Sequence, residues 1–215
     1  MALLTWDPAL FRAIHLGLHH PALDPIMMAL TDPGRWKIPL LILAGALFLT
    51  RRGRGVRALI VLALTIAVSD QLSSKVIKPI VRRPRPSVVL ADARPLFGVR
   101  HSYAFPSVHA VNFSAAFPIV ATVFPAATVP YAIAASLVCI SRVYVGDHWP
   151  SDVLGGIVLG LGMGWLGRKT LLRIERNVRR WGEADAGAPA PPEPQPGSDL
   201  SPPRASSGGA PSGAP

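Results

Sequence analysis

Apolar residues occur along this chain in long runs, and short stretches rich in Arg, Pro and Gly separate the runs. Several runs approach the about 20 residues that an α-helix needs to cross the hydrocarbon core of a bilayer. This pattern predicts an all-α fold, a polytopic membrane bundle of about five to six helices. The predicted helices cover residues 23–31, 36–50, 56–79, 107–125, 128–142 and 151–172.

The two ends of the chain have different patterns from the centre. Residues 1–20 predict an amphipathic helix at the membrane interface, since apolar residues alternate there with His and Arg. Residues 21–181 then form the membrane-embedded domain. Residues 182–215 are rich in Pro, Gly, Ser and Ala and cannot bury a core, so we expect a disordered tail. The apolar positions of the first segment are Leu10, Ile14, Leu16 and Leu18.

Composition and charge narrow the class of protein further. The 215 residues are 50% hydrophobic and carry a formal net charge of +10. Because the basic residues flank apolar runs, membrane topology and anionic lipid headgroups explain them, and we expect no nucleic-acid partner. The single cysteine, Cys139, lies within an apolar run, so the chain can form neither an intramolecular disulfide nor a cysteine-based zinc site.

The distribution of basic residues predicts the orientation of the bundle. The stretches RRGRGVR at 51–57 and RKTLLRIERNVRR at 168–180 fall on the same side of the membrane if the predicted spans alternate in direction. The positive-inside rule makes that side cytoplasmic. Polar clusters around Lys78, Pro106 and His148 then face outward from the inner (plasma) membrane. The sequence defines no oligomeric state.

Polar clusters at the ends of membrane spans are costly, so they indicate a functional site. Together these clusters contain three cations, two histidines, one hydroxyl and one carboxylate, and this inventory suits a phosphate group. Arg presents a planar fork that matches phosphate oxygens, and Lys supplies a point charge. The side chains are Lys78, Arg85, Ser107, His109, Arg142, His148 and Asp152.

Two of the clusters begin predicted helices. Residues 106–109 lie where a loop becomes a helix, and the free backbone N–H groups of a helix start favour an anion. Ser107 either caps this helix or donates to a phosphate oxygen. Pro150 marks the start of the next helix. Asp152 therefore falls in the first turn and can orient the ring of His148 for nucleophilic attack.

The three clusters resemble the tripartite signature of the type 2 phosphatidic acid phosphatases, whose superfamily also includes the vanadium haloperoxidases. The resemblance covers roughly residues 70–155, and three motifs in order are far more specific than one alone. The matching residues are Lys78 with Arg85-Pro86, Pro106-Ser107-Val108-His109, and Ser141-Arg142 with His148 and Asp152.

The resemblance implies a role for each matching residue. His148 would attack phosphorus to form a phosphohistidine, Asp152 would orient His148, and His109 would protonate the leaving group. The family works without a metal, so we expect no metal and no other cofactor. At Val108 the family commonly has Gly, and we expect this difference to affect headgroup fit. The phosphoryl oxygens would be bound by Lys78, Arg85, Ser107, Arg142 and the backbone N–H of Val108.

Three function hypotheses follow from the clusters. The leading one is an integral membrane phosphatase for a lipid phosphate or diphosphate, with undecaprenyl diphosphate as the best guess and phosphatidate or phosphatidylglycerol phosphate as alternatives. A vanadium-dependent haloperoxidase is a second hypothesis, which the membrane spans disfavour. The third is a non-enzymatic lipid-phosphate binder or flippase, which would have no use for His148 and Asp152.

Further charged residues flank the motifs. Asp70 shares a predicted helix stripe with Ser74 and Lys78, where it either polarises the site or pairs with a neighbouring cation. Arg82 and Arg83 precede the first Arg-Pro pair, and we interpret them as residues that attract an anionic substrate.

Overall fold

The computed structural model describes residues 5–32 and 34–186. Within these residues all regular structure is helical and no strand occurs, which confirms the all-α class. A π-helical segment, Leu72–Ile77, joins α3 to α4, and a short 3-10 helix, Pro125–Ala127, precedes α7. The predicted tail beyond Ala186 lies outside the described residues. The helices are α1 (Asp7–His15), α2 (Asp24–Thr31), α3 (Lys37–Gln71), α4 (Lys78–Val81), α5 (Pro86–Val89), α6 (Val108–Val123), α7 (Thr128–Tyr144) and α8 (Pro150–Ala186).

Helix α8 extends beyond the predicted span 151–172 and beyond the tail boundary predicted at residue 181. Its second half remains in contact with the rest of the chain. Leu171 is fully buried in a cluster with Ala58, and Glu175 accepts a 2.7 Å hydrogen bond from Arg54. The predicted end of the last span at residue 172 is therefore too early, because packing and an ion pair stabilise helix where composition alone indicates a polar end.

Helix α3 continues through the stretch at 51–57, where the sequence predicts the end of one span and the start of the next. Its two ends nevertheless lie close together. The ring of Trp36, just before α3, is 5.0 Å from the ring of Phe113, and Asp70 accepts a 3.4 Å hydrogen bond from Asn112. A straight helix would separate Trp36 from Asp70 by about 50 Å. The chain therefore reverses direction within α3.

Two helical stretches of the described chain are long and apolar enough to cross a membrane, Gly53–Val89 and Pro125–Tyr144. Helix α6 is apolar but shorter. These are fewer spans than the sequence predicts. One reason is that α2 has only 8 residues, and another is that α8 combines a Gly-rich first half with a strongly charged second half.

Helix α1 packs into the bundle through a face that contains polar side chains. Asp7, Phe11 and His15 recur every four residues and are all buried. The Phe11 ring lies 5.5 Å from the ring of Trp149, and His15 Nδ1 lies 2.6 Å from the carbonyl oxygen of Tyr144. The buried face of α1 thus includes a carboxylate, while Leu10 of α1 and the following Leu16 and Leu18 are exposed.

Helices α6 and α8 approach each other closely along a row of glycines. A Cβ atom added at Gly160 would lie 2.3 Å from the carbonyl oxygen of Val111, and one added at Gly164 would lie 2.3 Å from that of Ala115. A Cβ atom at Gly156 would lie 2.8 Å from a backbone oxygen of α6's capping residue. Glycines spaced four apart thus allow the two helix backbones to approach closely.

The glycine contact predicts that Gly160→Ala destabilises the protein. The added methyl group meets backbone atoms that cannot move aside, and overpacking of this kind costs about 1–3 kcal/mol. Gly162 is the matched control, since a Cβ atom there meets nothing within 4 Å and Ala is the better helix former. Thermal unfolding in detergent should give a lower Tm for Gly160→Ala than for Gly162→Ala, and the reverse order would contradict the packing.

Candidate active site

The three sequence clusters meet where α4, α6, α7 and α8 have neighbouring ends. The backbone N–H of Ser107, at the start of α6, donates to the carbonyl of Asp152 in α8 at 3.1 Å. The backbone N–H of His148 donates to the carbonyl of Arg142 in α7 at 3.2 Å. Backbone hydrogen bonds thus fix the second and third clusters relative to each other.

His148 lies at the centre of this group and is 3% exposed. Its Nε2 atom is 3.4 Å from a guanidinium nitrogen of Arg85. Burial, followed by the positive charges of Arg142, Arg85 and Lys78, lowers the pKa of His148 well below the usual value. The imidazole is therefore neutral near pH 7, which is the form that can act as a nucleophile.

Asp152 lies beside His148, as the helix start at Pro150 predicts. Its Oδ2 atom is 3.7 Å from His148 Nδ1, which is ion-pair distance but too long for a hydrogen bond, and Nδ1 has no hydrogen-bond partner among the described residues. The same carboxylate accepts the backbone N–H of Trp149 at 2.9 Å and a guanidinium N–H of Arg83 at 2.6 Å. Capping of α8 and the pairing with Arg83 therefore determine where this carboxylate lies.

The cations Arg85 and Arg142 are both buried and are held by oxygen atoms. Arg85 donates to the Ser102 carbonyl at 2.9 Å and to the Asp147 carbonyl at 2.8 Å. Arg142 donates to the Asp147 carboxylate at 2.5 Å and to the Thr31 hydroxyl. The Nε atom of Arg142 is buried without a hydrogen-bond partner in the described chain, so this guanidinium retains a donor for a ligand.

Lys78 and Ser107 complete the predicted phosphate-binding set. Lys78 Nζ donates to the carbonyl of Tyr103 at 2.7 Å. Ser107 occupies the N-cap position of α6, but its side chain makes no capping hydrogen bond, and its fully buried hydroxyl has no partner in the described residues. Capping therefore does not explain this serine, and the hydroxyl is free to donate to an anion.

Val108 and His109 begin α6 and line a cavity of about 360 Å³. Within the described residues the only non-glycine residue with a positive φ is Arg82, so Val108 has an ordinary backbone conformation and glycine is not required there. The cavity walls are mostly apolar and include Trp36, Leu62, Ile66, Phe113, Ala116 and Val120. An apolar cavity thus lies beside the second cluster, residues 106–109.

Asp70 lines the same cavity and accepts the hydrogen bond from Asn112. Its partner is therefore an amide and not the cation considered from the sequence. The predicted stripe of Asp70, Ser74 and Lys78 assumes regular α-helical spacing, but the π-helical segment Leu72–Ile77 interrupts that spacing. Asp70 and Lys78 consequently have different surroundings, since Asp70 contacts Asn112 and Lys78 contacts the carbonyl of Tyr103.

Sequence reasoning missed several residues that support the site. Arg83, interpreted as an attractor of substrate, is 7% exposed and binds the carboxylates of Asp7 and Asp152. Asp147 pairs with Arg142, and with Arg100 at 3.2 Å. The only sequence signal for Asp147 is its position next to His148 within a cationic cluster, and Asp7 has no local signal because it lies far away along the chain.

No group of three or more His, Cys, Asp or Glu side chains within residues 5–32 and 34–186 is arranged to hold a metal ion. The side chains that converge here are mainly donors and cations around a neutral imidazole. Such a set suits an anion with several oxygens, and it includes an imidazole nitrogen of the kind that can act as a nucleophile.

Comparison with known proteins agrees with this chemistry. The family description "PAP2 superfamily" matches residues 55–175. The chain is 32% identical over 176 residues to phosphatidylglycerophosphatase B of Bacillus subtilis, covering 74% of this chain and 80% of that protein. The chain belongs to the PAP2 superfamily, in its membrane phosphatase branch, and is an enzyme of that kind.

Other relatives carry different substrate names. The chain is 29% identical to a lipid A 4'-phosphatase of Porphyromonas gingivalis, covering 82% of this chain and 75% of that protein. It is also 29% identical to undecaprenyl-diphosphatase BcrC of Bacillus subtilis, covering 73% and 80%. The crystal structure of a transmembrane PAP2-type phosphatidylglycerolphosphate phosphatase from Bacillus subtilis superposes with a TM-score of 0.61 at 30% identity, covering 78% and 85%.

The surroundings of His148 predict that its ring remains neutral below pH 6.5. Its lowered pKa means that the folded protein binds this proton only at a pH where an exposed histidine is already charged. Folding stability should accordingly decrease as the pH falls below about 6.5, because the unfolded chain then binds more protons.

Histidine-ring NMR titration, with His148→Ala for assignment, measures this directly. A midpoint for His148 well below those of exposed histidines is expected. A midpoint at or above the ordinary value would contradict the burial and charge environment described here.

Proposed function

We propose that the chain hydrolyses a lipid phosphate or diphosphate through a phosphohistidine formed on His148. The observation that carries this proposal is the buried His148 facing Arg85, together with an apolar cavity that begins at Val108 and His109 of the second cluster. The phosphoryl group would bind among the cations, and the lipid tail would occupy the cavity. The cation cluster and the apolar cavity together therefore fit a substrate that has both a phosphoryl group and a lipid tail.

Binding of the phosphoryl group uses donors that the site already presents. The free hydroxyl of Ser107 and the unpaired Nε of Arg142 would donate to phosphate oxygens, and Lys78 would add a point charge. Arg85 lies against His148 Nε2 and would bring a phosphate oxygen close to this nitrogen. Positioned positive charge of this kind also stabilises the transition state of phosphoryl transfer.

The first step forms a bond between His148 Nε2 and phosphorus while the bond from phosphorus to the leaving oxygen breaks. Positive charge develops on the ring, and the nearby carboxylate of Asp152 stabilises it. His109 gives a proton to the leaving oxygen, and the negative charge of the bound phosphate favours the protonated ring that this requires. General acid catalysis contributes about 10²- to 10⁴-fold.

The second step returns the enzyme to its starting state. A water molecule attacks phosphorus and gives its proton to His109, the bond between phosphorus and His148 breaks, and inorganic phosphate leaves. Both histidines then have their original protonation states. For a diphosphate the leaving group is the lipid monophosphate, and for a monoester it is the lipid alcohol.

Undecaprenyl diphosphate remains our proposed substrate, with phosphatidylglycerol phosphate and phosphatidate as the alternatives. The names of the relatives support the diphosphate and phosphatidylglycerol phosphate comparably. We further propose that the chain lies in the inner membrane with the site facing outward. The pairing of Arg54 with Glu175 supports this orientation, because it brings the two basic stretches together.

Phosphate release from detergent-purified protein tests the function. Wild type, His148→Ala and the exposed control His101→Ala are compared on undecaprenyl diphosphate, phosphatidylglycerol phosphate and phosphatidate with EDTA present. We expect release by wild type and His101→Ala and essentially none by His148→Ala, since removing a nucleophile removes the covalent route. Trapping of acid-labile phosphoprotein in wild type alone would support the intermediate.

Equal release by wild type and His148→Ala would overturn the proposed nucleophile. Binding of these lipids by all three proteins without any release would favour a lipid-phosphate binder instead.

Val108→Gly predicts a change in substrate preference. Val108 lines the cavity next to the phosphate-binding residues, so removing its side chain enlarges the space where headgroup and tail meet. The ratio of kcat/KM values between the diphosphate and monophosphate lipids should change, and Val158→Gly, on an exposed face of α8, controls for the cost of glycine in a helix. An unchanged ratio in both variants would show that Val108 does not influence selection.

A further inference from the structure

We propose that Asp7 and Arg83 are positioning residues that set the carboxylate of Asp152 against His148. This inference rests on the proposed function, since it assigns two residues to the same reaction. Neither residue belongs to the three motifs, and Asp7 comes from α1, which precedes all of them in the chain.

Arg83 connects two carboxylates through separate nitrogens of its guanidinium group. One terminal nitrogen donates to Asp152 Oδ1 at 2.6 Å and to the Ser151 hydroxyl at 2.6 Å. The other donates to Asp7 Oδ2. Arg83 is 7% exposed and both carboxylates are fully buried, so this chain of charges is withdrawn from solvent.

Asp7 reaches the start of α8 independently of Arg83. Its Oδ1 atom accepts the backbone N–H of Ser151 at 2.9 Å, and its Oδ2 atom accepts the Ser151 hydroxyl. A single carboxylate therefore holds both Arg83 and the first turn of α8. Since Asp152 follows Ser151 directly, Asp7 fixes the helix turn that carries Asp152 as well as the cation that binds it.

Local backbone geometry directs Arg83 inward. Arg82 adopts a left-handed conformation with φ 51° at the end of α4, and its side chain donates to the carbonyl of Pro79 at the surface. The carbonyl of Arg83 accepts the N–H of Ala104 at 2.8 Å. The side chains of these two adjacent arginines thus point in opposite directions. Only Arg83 joins the buried charge network, which consists of Asp7, Arg83 and Asp152.

The network determines which oxygen of Asp152 faces the nucleophile. Arg83 binds Oδ1 and the backbone N–H of Trp149 binds Oδ2, so that Oδ2 lies on the side of His148 Nδ1 at 3.7 Å. Loss of Arg83 would allow the carboxylate to rotate and would leave Asp7 and Asp152 buried without the cation between them. Misplacement of a catalytic group by about 1 Å can cost about 10²-fold in rate.

The surrounding charges make the roles of Asp7 and Arg83 separable. Removing the positive charge of Arg83 should raise the pKa of His148, whereas removing the negative charge of Asp7 should lower it further. General loosening of the fold would move both variants in the same direction, toward an exposed histidine. The ionisable groups that act on His148 directly are Lys78, Arg85, His109, Arg142 and Asp152, while Arg83 and Asp147 act through their pairs with Asp152 and Arg85.

The experiment compares Arg83→Gln and Asp7→Asn with Arg12→Gln in the full-length protein. Arg12 also belongs to α1, but it forms an exposed pair with Asp92 away from His148. We expect kcat on the best lipid substrate to fall by about 10- to 100-fold for Arg83→Gln and Asp7→Asn with little change in KM, and Arg12→Gln to resemble wild type. Histidine-ring NMR should show the His148 midpoint moving in opposite directions in the first two variants.

Arg83→Lys separates charge from geometry if Arg83→Gln does not fold. Lysine retains the charge but cannot bridge two carboxylates as a fork does, so kcat should be intermediate while the His148 midpoint stays near that of wild type. Wild-type kcat in Arg83→Gln and Asp7→Asn would overturn the inference.

Failure of the proposed function gives a different result. Wild type would then release no phosphate from any lipid, and the inference would be judged by the NMR midpoints alone. Opposite displacements would support the charge network around His148, and coincident or absent displacements would refute it.

Discussion

The concentration of positive charge beside a buried imidazole is the constraint on which the rest of this structure depends. Lys78, Arg85 and Arg142 would repel one another at a low-dielectric helix junction unless oxygens were fixed around them. Asp147 and carbonyls of the long loop supply those oxygens. The loop between α5 and α6 is therefore as much part of the site as the helices, and its irregular backbone is what frees carbonyls to face the cations.

The predictions for the site depend on short stretches of sequence in which proline or glycine restricts the backbone. Pro150 located the start of α8, and with it the relation between His148 and Asp152. Glycines spaced four apart favour a close helix contact, and the structure shows that the partner of α8 is α6, which brings Ser107 near that helix start. Each inference needed only a few neighbouring residues, because proline and glycine determine the local backbone conformation and helix contacts whatever the distant parts of the chain do.

Features that depend on distant partners were not predictable in this way. The length of α8 depends on Leu171 and Glu175 finding partners near the middle of the chain. The buried face of α1 includes Asp7, which appears unfavourable until Arg83 and Ser151 are placed around it. A hydrophobic pattern alone assigns such a carboxylate to the surface. The hydrogen-bond and ion-pair partners that make its burial favourable are known only from the folded structure.

The contact between α1 and α8 also has a consequence for how the protein is made. Asp7 and Ser151 are 144 positions apart in the chain, so this contact cannot form until the first turn of α8 has left the ribosome. Synthesis proceeds from the amino terminus, so α1 is complete long before its partner in α8. A chain that ends before α8 would therefore contain Asp7 and Arg83 without the helix turn that they hold. In this fold the charge network of Asp7, Arg83 and Asp152 is therefore completed only late in synthesis.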